Sequence, residues 1–272
     1  MKRLVMLILA ATLGSSVVYA QELSYQKILL PLRPRGVVNG AYGSQWRTSL
    51  IVLNRSGEPV MIVPPLSGCQ ILCPPEGEGP PTLPGVSFNP YIFTLPDTLS
   101  GEGFFVYVDR AHAADVAFQL NTRDLSREAE TRGTEVPVVR EGEFFTGTRS
   151  LLGIPVDARF RVSLRIYDGD NSDADASATV RFFEEYGAQV DSGEPDRLLL
   201  EETIPFQYPT SAESRRAQPG YIYLPDLAMI PELAGISTIR IDVESAQSGR
   251  HLWTFASVTN NQTQHVTLIT PQ

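Results

Sequence analysis

The chain has 272 residues, with 31 Asp and Glu against 22 Lys and Arg and a formal net charge of −9. An acidic chain without a block of clustered cations is excluded as a nucleic-acid binder, because phosphate contacts need grouped Lys and Arg. Its length exceeds the usual single domain, which predicts two.

The N-terminal twenty residues read as a signal peptide. Lys2 and Arg3 form a short positive region, Leu4 to Leu13 is apolar, and Val18-Tyr19-Ala20 offers acceptable residues at the cleavage positions. Cleavage before Gln21 removes two cations and moves the charge to −11. The apolar stretch is shorter than the roughly 20 residues of a membrane span, and no later stretch reaches that length without charges, so no membrane span is expected. The mature chain is therefore expected to be secreted or periplasmic.

Beyond that point periodicity predicts strands and turns. Arg47 to Asn54 is β-branched or apolar and runs into the turn Arg55-Ser56-Gly57-Glu58, with Pro59 to Val63 as the return strand. Cys69 and Cys73 follow in a Pro-rich stretch. In an oxidising compartment a close pair predicts a small-loop disulfide, the alternatives being a metal or redox site. Phe104 to Val108 and Asp115 to Asn121 form a second expected pair. The polar stretch Ser126 to Arg132 allows at most one helical turn, as does Leu227 to Ala234, which Pro231 breaks.

In the second part, Arg161 to Tyr167 alternates polar and apolar side chains, as a half-buried strand does, and Ala176 to Phe183 answers it across an acidic loop. Thr238 to Val243, Trp253 to Val258 and His265 to Ile269 complete the strands. The 21 Gly and 21 Pro between them are what a many-turned β-sandwich needs.

An internal repeat supports two units. Trp46-Arg47-Thr48-Ser49-Leu50-Ile51-Val52-Leu53-Asn54 aligns with Phe160-Arg161-Val162-Ser163-Leu164-Arg165-Ile166-Tyr167-Asp168. The apolar run Ile28 to Pro31 matches Leu151 to Pro155, and Phe105 to Asp109 matches Tyr221 to Pro225. The expected organisation is a signal peptide (1–20), an N-terminal β-sandwich domain (21–145) and a C-terminal one (146–272). The fold class is all-β, two tandem Ig-like antiparallel sandwiches.

Three stretches resemble a class of secreted tandem Ig-like β-sandwich proteins of environmental bacteria. They are Gly36 to Asn54 with its Gly43-Ser44-Gln45-Trp46-Arg47-Thr48, then Gly133 to Arg140, and the tail Ala256 to Asn261 with Thr270-Pro271-Gln272. The resemblance implies an exported tandem sandwich and brings no catalytic residue with it.

Candidate chemistry is sparse. Asp168, Asp170, Asn171, Asp173 and Asp175 place hard oxygen donors as a calcium loop would, so calcium is the one cofactor suggested, though none is required. The EF-hand register fails, since the twelfth position is Thr179 or Arg181. The same residues also suit a solvated turn. His112, His251 and His265 are scattered and there is no G-x-S-x-G elbow. The doublets Glu184-Glu185 and Glu201-Glu202 offer carboxylates for a glycosidase, yet neighbours on a strand point to opposite faces. Tyr221, Tyr223, Phe206 and Trp253 form either a stacking platform or sandwich core, with core favoured for Trp46 and Trp253. Asn261-Gln262-Thr263 reads as a turn. The expected role is a non-catalytic binding or structural protein whose partner is a protein or polysaccharide, and the alternative is a carbohydrate-active hydrolase or carbohydrate-binding module.

Overall fold

The computed structural model describes residues 25–32, 35–60, 62–63, 84–85, 87–88, 103–127, 133–170, 175–185, 196–210 and 218–272. The expected signal peptide, Cys69, Cys73, Asn171 and Asp173 lie outside these residues. The fold is all-β, with 3-10 turns where the sequence allows single helical turns, at Leu125–Arg127, Leu227–Met229 and Pro231–Leu233. No helix among the described residues is long and apolar enough to cross a membrane.

Among the described residues, seventeen strands make four antiparallel sheets. Sheet I joins β1 (Tyr25–Leu30), β4 (Ile62–Val63), β6 (Phe104–Asp109) and β9 (Val139–Arg140) in the order β4-β6-β1-β9. Sheet II joins β2 (Arg35–Asn39), β3 (Gln45–Asn54), β7 (Val116–Asp124) and β8 (Thr134–Val136) in chain order, with β5 (Ser87–Phe88) also on β3. Sheet III runs β14 (Gly220–Leu224), β11 (Phe160–Asp168), β16 (Leu252–Asn260), β17 (Val266–Ile269). Sheet IV runs β10 (Arg149–Pro155), β15 (Thr238–Ser245), β12 (Ser177–Glu184), β13 (Arg197–Pro205).

Each pair of sheets closes on its own core. Ile28, Leu30, Phe104, Val106 and Val108 from sheet I meet Leu50, Val52, Val116, Leu120 and Val136 from sheet II. Val162, Leu164, Ile166, Ile222 and Val258 from sheet III meet Leu151, Ile154, Val180, Phe182, Ile239, Ile241 and Val243 from sheet IV. Strand alternation sorts these side chains inward and their neighbours outward.

The expected hairpins are sheet-to-sheet crossings instead. β3 lies in sheet II, but the chain after the Arg55–Glu58 turn enters sheet I, where β4 pairs with β6. β6 and β7 do not pair, nor do β11 and β12. These connections are longer than the two-residue turns that enforce pairing, so each strand settles across the sandwich. At the first crossing Asn54 shapes the turn: its buried side chain donates to Glu58 O and accepts from Ser56 N, both at 2.8 Å. Strand β13 is absent from the expectations because Leu198 to Glu202 does not alternate and is rich in helix formers.

The pairing scheme recurs. β1–β6, β3–β7, β4–β6 and β7–β8 have counterparts in β10–β15, β11–β16, β12–β15 and β16–β17. One landmark of the sequence repeat shifts. The counterpart of β6 by pairing is β15, not β14, which contains Tyr221 to Leu224 and takes the place of β5 beside the central strand.

A third apolar cluster joins the two pairs of sheets. The outward residues Leu29 and Phe105 of sheet I, with Val139, pack on the outward Tyr167, Trp253 and Phe255 of sheet III, all nearly or fully buried. Tyr167 stacks on Phe255 at 6.4 Å between ring centroids, and Trp253 lies 5.4 Å from Phe255. The Tyr167 hydroxyl donates to Pro31 O at 2.5 Å, satisfying a buried polar atom inside the seam. Gly103 permits the close approach, since a Cβ there would meet Leu30 O at 3.0 Å and the Tyr167 ring at 3.1 Å. A smaller contact, Thr134 Oγ1 donating to Val266 O at 2.7 Å, ties β8 to β17.

Truncating a buried Phe costs about 3–5 kcal/mol. Phe105→Ala removes a seam ring without touching either sandwich core. Calorimetry of the variant is expected to resolve two unfolding transitions where the wild type shows one.

Candidate functional site

The candidate residues converge on two places along the junction of the two sheet pairs. One is the polar cluster around the acidic loop after β11. The other is the outer face of sheet III beside the seam.

Asp168 ends β11 on its inward row and is fully buried. Arg250, just before β16, meets it in a two-pronged ion pair, Nε to Oδ1 at 2.9 Å and Nη2 to Oδ2 at 2.7 Å. The Tyr208 hydroxyl donates to Oδ2 at 2.7 Å, and the backbone N–H of Asp170 reaches Oδ1 at 3.1 Å. Hydrogen bonding to Asp168 raises the Arg250 pKa above its already high ordinary value. The Tyr208 phenol is pushed up by burial first and by Asp168 second. A pair this well matched is costly to break, about 3–5 kcal/mol, because the surviving charge stays buried.

Asp170 turns to His251, accepting from its backbone N–H and facing its Nδ1, both at 2.9 Å. Asp175 is exposed. The described members of the proposed calcium loop are thus engaged within the protein or exposed, while Asn171 and Asp173 lie outside the described residues. A guanidinium already fills the edge of Asp168 that a cation would take, and an imidazole with its backbone amide takes both oxygens of Asp170. Among the described residues no three His, Cys, Asp or Glu side chains form a group that could hold a metal ion.

Lys27 reaches this cluster from the other sheet pair. It lies on the outward row of β1, its Nζ donates to Gly169 O, and its ammonium sits 4.9 Å from the centre of the Phe105 ring. Burial depresses its pKa, and Asp170, Glu141 and Asp168 oppose that shift without cancelling it.

The proposed stacking platform is not an open one. Trp253 is buried in the seam with Tyr221 packed beside it, whereas Phe206 belongs to the core between sheets III and IV. Trp253 is buried as expected, but in the seam on the outer face of sheet III and not in a sandwich core. Trp46 is half-buried and donates through Nε1 to Ser44 Oγ at 2.9 Å. Tyr223 stays on the outer face of sheet III, where the Arg165 guanidinium lies 4.3 Å from its ring centre.

The glycosidase carboxylates do not converge. Glu201 pairs with Arg181 at 2.5 Å, Glu184 with Arg197 at 2.5 Å, and Glu185 accepts from Gly153 N at 2.7 Å. They belong to a lattice of ion pairs on the outer face and edge of sheet IV, which also links Arg181 to Glu244 and Arg240 to Asp196 and Asp242. His112, His251 and His265 sit in separate loops, and Asn261 to Thr263 is a turn.

Sequence reasoning did not find Arg161, Tyr42 and Gln264, which meet on the outer face of sheet III. Arg161 Nη2 donates to Gln264 Oε1 at 2.9 Å, and its guanidinium lies 5.2 Å from the Tyr42 ring centre. Two signals were in the sequence: Tyr42-Gly43 is a turn dipeptide, and Arg161 begins an alternating strand.

No family model, curated protein or solved structure matches this chain. The functional reading therefore stands on its own residues.

Two outcomes test this cluster. A folded-state lysine pKa below the ordinary value of about 10.4 makes the protonated form the costly one. Stability is then expected to rise as pH climbs from the depressed pKa of Lys27 toward that ordinary value. Urea midpoints on the alkaline side are expected to show this rise in the wild type and to lose it in Lys27→Met. Added calcium is expected to leave the melting temperature unchanged. A site filled at a hundredfold excess would add about 2.7 kcal/mol and raise the melt by on the order of 5 °C. A shift of that size, abolished by Asp170→Ala, would show that the loop rearranges to take the ion.

Proposed function

We propose that the chain is an exported, non-catalytic binding or structural protein, in which two tandem Ig-like β-sandwich domains follow a signal peptide. The observation that carries this reading is the seam. It couples two sandwiches of matching pairing scheme through buried aromatic rings, so the pair presents its loops and faces in one fixed relation. A fixed two-part scaffold suits recognition of an extended partner, such as a polysaccharide or another protein, because the ordering cost is met on folding and not on binding.

The pattern of charge supports the same reading. Of the acidic residues proposed for hydrolytic work, Glu184, Glu185 and Glu201 are tied to arginines or a backbone amide, an arrangement that stiffens a surface. The acidic balance of the chain suits solubility in an extracellular medium.

Expression of the full chain in a bacterial host with a secretory pathway is the test. The product is expected outside the cytoplasm with Gln21 at its N-terminus, and to be retained on a matrix of immobilised polysaccharide or envelope protein without altering it. Retention inside the cell, or release of reducing sugar by the purified chain, would overturn the proposal.

A further inference from the structure

Among the described residues, two that are not glycine adopt a positive φ, Tyr42 and Gln264, each at 56°. For side chains of this size the left-handed region is uncommon, and it persists only where surrounding contacts impose it. Both residues touch the same group, the Arg161 guanidinium, from opposite sides of the junction.

Each is held by a built loop. Tyr42 sits in the 3-10 turn Ala41–Gly43, closed by Gly40 N to Ser44 O at 2.8 Å and Ser44 Oγ to Ala41 O at 2.8 Å. Gly40 is required there, because a Cβ would lie 2.3 Å from Ser44 Oγ and 2.6 Å from the Trp46 ring. Asp124 anchors the following residue by accepting from Gln45 N at 2.8 Å. Gln264 is buried, its N–H donates to Asn260 O at 2.8 Å, and its side-chain amide donates to Asn261 O at 2.7 Å, which aims Oε1 at Arg161.

The result is an oriented arginine. Arg159, Arg181, Arg197, Arg240 and Arg250 each pair with a carboxylate. Arg161 instead meets a neutral amide and a ring, and no carboxylate among the described residues pairs with it. Tyr42 is 72% exposed, so much of its surface is open to solvent. Further along the same face stand Ser163 and Arg165, with Ser257 and Thr259 opposite Ser163 and Arg161 on β16. A cation beside an exposed aromatic ring and a row of hydroxyls matches a sugar that carries a carboxylate: the guanidinium takes the acid, the ring stacks on the pyranose face, and the hydroxyls meet its OH groups.

We infer that Tyr42, Arg161 and Gln264 form a binding site for a uronate saccharide at the junction of the two sandwiches. This deepens the binding role proposed above and rests on it. The net charge of −9 opposes a long polyanion at a distance, so recognition depends on short-range contact and a short oligosaccharide is the appropriate probe.

The test is calorimetric titration of the mature chain with trigalacturonate, with maltotriose and a hexaglutamate peptide as comparisons. Trigalacturonate is expected to bind and maltotriose is not. Arg161→Gln is expected to weaken binding about tenfold or more, as loss of a charge-assisted contact does. Tyr42→Gly removes the ring and relieves the backbone, so it is expected to weaken binding while leaving the melting temperature equal or higher, an effect that a merely structural tyrosine would not give. Absence of trigalacturonate binding, equal binding of maltotriose, stronger binding of the peptide, or unchanged affinity in both variants would each overturn the site. Export and retention on an immobilised partner would still hold in that event, so failure of this site is distinguishable from failure of the broader reading.

Discussion

The architecture depends on burying both faces of two sheets. Strands β1 and β6 put Ile28, Leu30, Phe104 and Val106 into one sandwich and Leu29 and Phe105 into the seam; β11 and β16 do the same from the other side with Leu164 and Ile166 against Tyr167, Trp253 and Phe255. Burial of large rings contributes about 1.5–3 kcal/mol per side chain. A seam of six buried residues is therefore comparable in worth to a substantial part of a small domain's net stability. The outward face of a sandwich sheet, ordinarily left to solvent, here carries the coupling between two units.

Electrostatics follow from that arrangement. Where the apolar seam ends, polar groups at its border must be satisfied, and the Asp168–Arg250–Tyr208 cluster and Lys27 do this from opposite sides. The cluster is internally matched, so it fixes geometry more than it supplies reactive groups. On sheet IV, far from the seam, the same residue types form exposed cross-strand ladders such as Glu201–Arg181–Glu244. Exposed pairs of this sort contribute little individually, and they keep a broad sheet face hydrated.

How much of this was legible follows from physical range. All-β character was readable because alternation and turn residues are local, as in Arg161 to Tyr167. Pairing was not, because Arg55 to Glu58 looks the same whether the chain returns beside β3 or crosses to β6. The seam left a trace that alternation-based reading passes over: Ile28-Leu29-Leu30, Phe104-Phe105-Val106 and Leu252-Trp253-Thr254-Phe255-Ala256 are nearly unbroken, as expected of strands covered on both faces. Trp253 was legible as a buried ring but not as a seam ring, since burial on the inner and outer faces reads alike. The acidic loop was visible as a cluster of carboxylates, while its arginine lies 82 residues away and could not be matched to it.

The contrast between the two arginine environments explains why the second, and not the first, is the more informative. Arg250 and Asp168 neutralise each other in the interior, and nothing further is required for that arrangement to be stable. Arg161 is held without a carboxylate by two residues whose backbones are in an unfavourable region, contributed by loops that the fold brings together from 103 residues apart for Gln264 and from the other sandwich for Tyr42. A loop that needs no such conformation relaxes by exchanging the residue for glycine, which tolerates it freely. Tyr42, directly before a glycine that already supplies positive φ at Gly43, places an aromatic ring over a cation at a cost to the backbone. Backbone strain that orients a cation and a ring is where a contact site is to be sought.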